Sequence, residues 1–203
     1  MPLRGRTVLV TGSAKGLGKM TALALAKKGC QVAINYVTSE KEATELVGQL
    51  TDMGVRSIAV QGDVAKREDI ARMVQETVSK LGTIDILVNN AGHLVQRVPN
   101  ADMFEDMYNR IMDVNLKSTV FMCKRVLAGM KEKGYGRIIN MTSVAAHNGG
   151  GPGSSIYAAS KAAVLTFSKG LAKEVAASGI TVNNVSPGFI GNTMFHATFT
   201  TDT

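Results

Sequence analysis

Short apolar runs alternate with segments of helical period along the whole chain. "RTVLVTG", "QVAINYV", "RSIAVQGDV", "IDILVNNAG", "GRIINMTS" and "ITVNNVSPG" read as strands, most of them closing on glycine or small polar residues. "GKMTALALAKKG", "SEKEATELVGQLTDMG", "KREDIARMVQETVSKLG" and "SIYAASKAAVLTFSKGLAKEVAASG" space their apolar positions as helices do. Ser39 is placed to cap the second of these helices and Gly54 to close it. A further long helix is expected from about Met103 to Lys133. Helices alternating with short, nearly all-apolar strands predict a doubly wound α/β fold, a parallel sheet with helices on both faces. No repeat, low-complexity tract or linker divides it, so residues 1–203 are expected to form one domain.

Ligands in such sheets bind beyond the carboxyl ends of the strands. The polar clusters stand there: "TGSAKGLG", "GDV", "NNAG", "TS" and "SPG" follow the first, third, fourth, fifth and sixth strands.

Composition narrows the classes. With 45% hydrophobic and 19% charged residues the chain belongs with globular proteins and not with disordered ones. No apolar run reaches membrane-spanning length, and a strand begins almost at once, leaving no room for a signal peptide. Cys30 and Cys123 fall in different elements and read as small buried hydrophobes of a reducing, cytoplasmic compartment. A net charge of +7 raises the question of nucleic acid. The basic residues are scattered, however, and tryptophan is absent, which favours an anionic small ligand instead.

Gly12, Gly16 and Gly18 are spaced G-x-x-x-G-x-G at a strand-to-helix turn. Missing side chains there allow tight turning and close approach to a pyrophosphate, although helix packing selects glycine too. Tyr157 and Lys161 lie four apart on one helix and share a face. A nearby cation favours phenolate, bringing a tyrosine of ordinary pKa ~10 toward acid–base use. The Ser143 hydroxyl can donate to a carbonyl oxygen and accept from an alcohol, while strand alternation turns Thr142 away. Asn115 falls inside a helix, where a local backbone hydrogen bond is the ordinary account of asparagine. His93, His147 and His196 are far apart and form no metal-ligand spacing; the first two fit a substrate mouth or solvated loops.

Taken in order, "TGSAKGLG", "NNAG" (Asn89 to Gly92), Asn115, Ser143, "YAASK" (Tyr157 to Lys161) and "SPG" resemble the short-chain dehydrogenase/reductase family from end to end. Within it the chain looks most like the 3-oxoacyl-acyl-carrier-protein reductase type. The resemblance implies a nicotinamide dinucleotide at the glycine turn, held by Gly12, Ser13, Lys15, Gly16, Leu17 and Gly18. It puts Asp63 and Val64 at the adenine and Asn90, Ala91 and Gly92 along the adenosine ribose. Pro187, Gly188 and Ile190 carry over as cofactor-binding too, with Tyr157 and Lys161. An acidic residue at the end of the second strand marks NAD users. Here Asn35 and Tyr36 occupy that place, and by the family's geometry Lys15 offers a cation to a 2′-phosphate, so NADP(H) is expected.

The implied catalytic set is Asn115, Ser143, Tyr157 and Lys161, with Asn115 anchoring a water and Lys161 also holding the nicotinamide ribose. Hydride would pass between nicotinamide and a carbonyl or secondary alcohol, Tyr157 supplying or taking the proton. Partners are then a small carbonyl or alcohol substrate, no nucleic acid and no membrane, in a homodimer or homotetramer paired through the long helices. Three departures qualify the likeness. Gly134 and Ser178 stand where carrier-protein reductases often present basic residues, and Thr193 lies one residue late for the nicotinamide carboxamide. The chain stops at "FHATFTTDT", where relatives continue through a lid, a helix and a last strand. Weak cofactor binding, poor turnover and an aggregation-prone strand edge are expected from that stop, unless Phe195 to Phe199 form a sufficient cover. A sugar or polyol dehydrogenase of the same family and a non-catalytic dinucleotide-binding fragment stay open as alternatives.

Overall fold

β1 (Thr7–Val10), β2 (Gln31–Tyr36), β3 (Ser57–Gln61), β4 (Ile86–Asn89), β5 (Gly136–Met141) and β6 (Ile180–Val185) make a six-stranded parallel sheet in a computed structural model that describes residues 3–191. Their order is β3-β2-β1-β4-β5-β6. The chain leaves β1 toward β2 and later returns to pair β4 on the other side of β1, with Val10 opposite both Ile34 and Val88. The crevice of such a sheet opens where the order reverses, beyond the carboxyl ends of β1 and β4.

Alternation along β1 divides the core. Val8 and Val10 pack with Ala22, Leu46 and Ile86 under α1 (Gly16–Lys27) and α2 (Glu40–Asp52). Leu9 points the other way, to Met73, Met122, Ile138 and Leu171, under α3 (Arg67–Leu81), α5 (Ser118–Lys133) and α7 (Ser155–Val175). Both faces of the sheet are thus helix-covered, as the pattern predicts. β6 departs from the expected two-sided burial: Ile180 and Val182 are buried while Thr181 and Asn183 are exposed, as in a strand with one covered face.

Three local expectations change. The helix expected over Met103–Lys133 starts at Glu105 as α4 (Glu105–Met112) and reaches α5 through a π-helical turn, Asp113–Lys117. Ser39 stands at the start of α2, but its hydroxyl makes no capping bond there. The loop between Ser143 and Tyr157 contains a short helix, α6 (Ala145–Asn148), stopped by Gly149 at φ 82°. Thr193, His196 and the segment from Phe195 to Phe199 lie outside the described residues.

Candidate active site

The glycine turn is stitched from within. Ser13 is fully buried, its hydroxyl donating to the Val10 carbonyl (2.7 Å) and accepting from the Asn35 N–H (3.1 Å). Asn35, expected beside the cofactor ribose, turns inward instead. Its amide oxygen accepts the Gly12 N–H (3.0 Å), and its amide nitrogen donates to the Gly62 carbonyl (2.9 Å). Both residues, carried over as cofactor-binding, spend their polar atoms on holding the ends of β1, β2 and β3 together.

The glycines divide by task. A Cβ on Gly18 would stand 2.6 Å from the Asn90 amide nitrogen and 2.7 Å from the Gly12 carbonyl, and one on Gly12 would meet the Ala91 backbone at 3.1 Å. These two glycines let the turn pack on the Asn89–Gly92 segment. Gly16 differs: it has φ +55° and nothing within 4 Å of its would-be Cβ. It opens α1 behind Lys15, which makes no side-chain cap. The first N–H groups of a helix have no intrahelical acceptor, so this end suits an anion. A pyrophosphate therefore fits the residues present.

Thr11, which the sequence motif alone did not single out, ties the two turns. Its hydroxyl accepts the N–H groups of Asn90 and Ala91 at 3.0 Å each, and the Asn90 amide donates to the Thr11 carbonyl at 2.8 Å. Its one signal in the sequence was its place as the polar residue that opens "TGSAKGLG". Gly92 serves the second half of the site, since a Cβ there would lie 2.7 Å from Lys161 Nζ and 2.8 Å from Asn115 Oδ1.

Tyr157 and Lys161 project from the first turns of α7. Lys161 is buried and donates to the Met141 carbonyl at the end of β5 (2.8 Å). Burial pushes its ammonium down to about 8. One residue earlier in β5, Asn140 donates to Ser168 two helical turns along α7 (2.7 Å) and accepts from Asn89 of β4 (2.8 Å). α7 is thereby fixed to the strand at two points on one face. Ser143 accepts the Ala145 N–H (3.1 Å) at the start of α6 and lines the cavity with Tyr157. Against the expected bias toward phenolate, burial pushes the tyrosine above its ordinary value, and the nearby Ser143 hydroxyl opposes this only in part. Lys161 Nζ lies 5.8 Å from the ring centroid.

Asn115 sits in the π-helical turn with both ends of its amide in use. It donates to the His93 carbonyl (2.8 Å) and the Ile111 carbonyl (2.9 Å) and accepts the His93 N–H (3.1 Å). The local backbone bond is present, and a second anchorage holds the segment after Gly92. The Thr142 hydroxyl bonds the Val185 carbonyl of β6 at 3.0 Å, yet Thr142 lines the cavity beside Ser143, where strand alternation alone would have turned it away.

A cavity of about 720 Å³ joins these parts. Its lining includes Lys15, Gly16, Leu17, Asn90, Gly92 and His93 from the strand ends β1 and β4, and Ser143, Tyr157, Lys161, Pro187, Gly188 and Ile190 from β5 onward. Gly12, Ser13, Gly18, Asn35, Tyr36, Asp63, Val64, Ala91 and Asn115 are not among its lining residues. Asp63 is instead engaged by the Ala65 N–H (2.9 Å) and Arg110 (3.4 Å). His147 contacts Ser186 and not the cavity. Among the described residues no His, Cys, Asp and Glu side chains gather as a metal site. No helix among them is long and apolar enough to cross a membrane.

A strand-end cavity carrying serine, tyrosine and lysine beside a glycine turn is the architecture of a dinucleotide-dependent oxidoreductase. The profile of the short chain dehydrogenase family matches residues 6–203, and the chain belongs to that family, whose members act on carbonyl and alcohol groups. It is 40% identical over 196 residues to a 3-oxoacyl-acyl-carrier-protein reductase of Staphylococcus epidermidis, covering 95% of this chain and 78% of the relative. A protein of the same description from Synechocystis is 42% identical over 193 residues, covering 95% and 77%. Among solved structures, a blue fluorescent protein from a metagenomic library in complex with NADPH superposes with TM-score 0.90 at 37% identity, covering 96% of this chain and 78% of that one. An NADH-dependent reductase of alginate metabolism, complexed with NAD, gives TM-score 0.89 at 32% identity, covering 93% and 80%.

Proposed function

We propose that the chain is an NADP(H)-dependent ketone reductase of the 3-oxoacyl type, with residues 1–203 forming one cofactor-binding domain that also carries the catalytic site. The observation that carries this reading is that Ser143 and Tyr157 line the wall of one cavity together with buried Lys161, one helical turn from Tyr157.

A nicotinamide dinucleotide supplies the hydride when bound. The chain's own residues do the rest. Ser143 holds a substrate oxygen beside the Tyr157 hydroxyl, and Tyr157 gives that oxygen its proton. A tyrosine held protonated by burial suits this direction, because it must donate. Lys161, still cationic at pH 7 with its pKa at about 8, is held by the Met141 carbonyl where it can reach a ribose hydroxyl. Asn115 acts at one remove by fixing the His93 backbone. Gly16, Leu17 and Lys15 are the residues fitted to hold the phosphates, Lys15 toward a 2′-phosphate.

Val144, Ala145, Pro187, Phe189 and Ile190 give the substrate end an apolar wall. Such a wall suits an acyl ketone better than a sugar or polyol, which would leave hydroxyls without partners. Pairing of two copies is expected through α4, α5 and α7, where Phe104 and Tyr108 are 53% and 43% exposed on one side of α4. Absorbance should follow the oxidation of NADPH and NADH with β-ketoacyl esters and the reduction of NADP⁺ and NAD⁺ with sugars and polyols. Turnover of the ketoesters with NADPH is expected; turnover confined to polyols would overturn the substrate class, and equal use of NADH would overturn the cofactor preference.

A further inference from the structure

Lys15, the residue read as recognising a 2′-phosphate, already has an anionic partner. Its ammonium lies 2.7 Å from a carboxylate oxygen of Glu42 in the first turn of α2. Both side chains are substantially exposed, 53% and 40%, so the pair can open without a buried charge being stranded. The bond to Lys15, above all else, holds the Glu42 carboxyl below its ordinary value, so Glu42 is charged at neutral pH. Lys15 also lines the cavity and Glu42 does not. The ammonium therefore stands between a ligand space and a resident carboxylate.

Resting on the NADP(H) reading of Lys15, we propose that Glu42 is a specificity-determining residue that holds Lys15 back and thereby limits the preference for the 2′-phosphorylated cofactor. The pair presents a local charge near zero to an arriving phosphate. Without Glu42 the same place presents a full positive charge. A cofactor with a plain ribose hydroxyl carries no charge there and is indifferent to the change. At a few ångströms in high-dielectric surroundings one unit charge is worth a factor of about five in affinity. Added salt screens an exposed effect of this kind.

The test is a fluorescence titration of NADPH and NADH against the wild type, Glu42→Gln, Lys15→Ala and the double variant. Glu42→Gln should tighten NADPH about fivefold at low salt and leave NADH within about twofold, and the gain should disappear on the Lys15→Ala background. Unchanged or weaker NADPH binding in Glu42→Gln would overturn the proposal, the second outcome showing that Glu42 orients Lys15 for the ligand. A gain that survives without Lys15 would also overturn it, in favour of plain repulsion. Lys15→Ala alone tests the underlying reading: if it leaves the NADPH preference intact, Lys15 does not recognise the phosphate and both ideas fall. If it lowers the preference while Glu42→Gln does nothing, only the role of Glu42 falls.

Discussion

The two halves of the sheet use their polar strand ends in opposite ways. At β1 and β2, Thr11, Ser13 and Asn35 are consumed in bonds to backbone, and what remains for a ligand is mainly the uncapped end of α1 and the Lys15 ammonium. At β5 and α7 the side chains themselves line the cavity: Ser143, Tyr157 and Lys161 all open onto it. A cofactor with many phosphate oxygens can be gripped by main-chain N–H groups, whose placement needs a rigid turn. A reacting carbonyl needs a proton donor at one atom, which only a side chain supplies. The same density of polar residues thus means scaffolding on one side and exposed cavity wall on the other.

The sharpest break in this contrast is Tyr157→Phe. Turnover of whichever ketone the substrate screen identifies should fall about 10²–10⁴-fold, with NADPH affinity close to wild type. Substantial residual activity would mean that a proton donor lies elsewhere on the wall.

Lys161 tests the same half through its burial. Its pKa falls from 10.5 to about 8 on folding, so between those values the unfolded chain binds the extra proton. The charged amine costs the fold most below about pH 8, and the cost is relieved as pH rises toward 10.5. Urea unfolding of wild type against Lys161→Met should therefore show the wild type gaining on the variant between pH 7.5 and 9.5, values chosen to bracket about 8. A constant difference would show that the amine is not desolvated.

In the cofactor half, Gly18→Ala should lower unfolding stability by about 1–3 kcal/mol, because its Cβ meets the Gly12 carbonyl and the Asn90 amide. Gly16→Ala has open space and costs only the left-handed backbone, about 1–2 kcal/mol, yet should weaken cofactor binding more per unit of lost stability. Identical ratios of lost affinity to lost stability would erase the division between packing and ligand glycines. The mildest effect is expected from Ser168→Ala, about 1 kcal/mol, through the Asn140 amide it leaves unpaired. Its KM should move less than its kcat if the tie to β5 sets where α7 carries Tyr157.

The alternation of strands and helices, the clustering of polar strand ends and the shared face of Tyr157 and Lys161 were legible in the sequence. Each follows from periodicity, and a parallel sheet sends every carboxyl end to one edge. The direction of Asn35 and Ser13 was not legible, since a motif position names a strand end and not the side to which its polar atoms turn. Ala145–Asn148 was missed because four residues between glycines and a serine carry no helical period. The Lys15–Glu42 pair joins two elements 27 positions apart, Lys15 to Glu42, and no local spacing announces it.

The π-helical turn Asp113–Lys117 puts one surplus residue into an otherwise continuous rod. Each residue of an α-helix advances the azimuth by about 100°, so the turn acts as a phase shifter between α4 and α5. Asn115 is thereby clocked toward His93, while Met122, Val126 and Met130 of α5 keep their seat under the sheet. Removing a single residue there would restore regular winding and could not satisfy both ends. Either the amide would leave the His93 backbone or the face of α4 bearing Tyr108 would swing about 100° around the rod's axis. The alignment of the outer face with the strand-end cavity is thus set by one residue of winding.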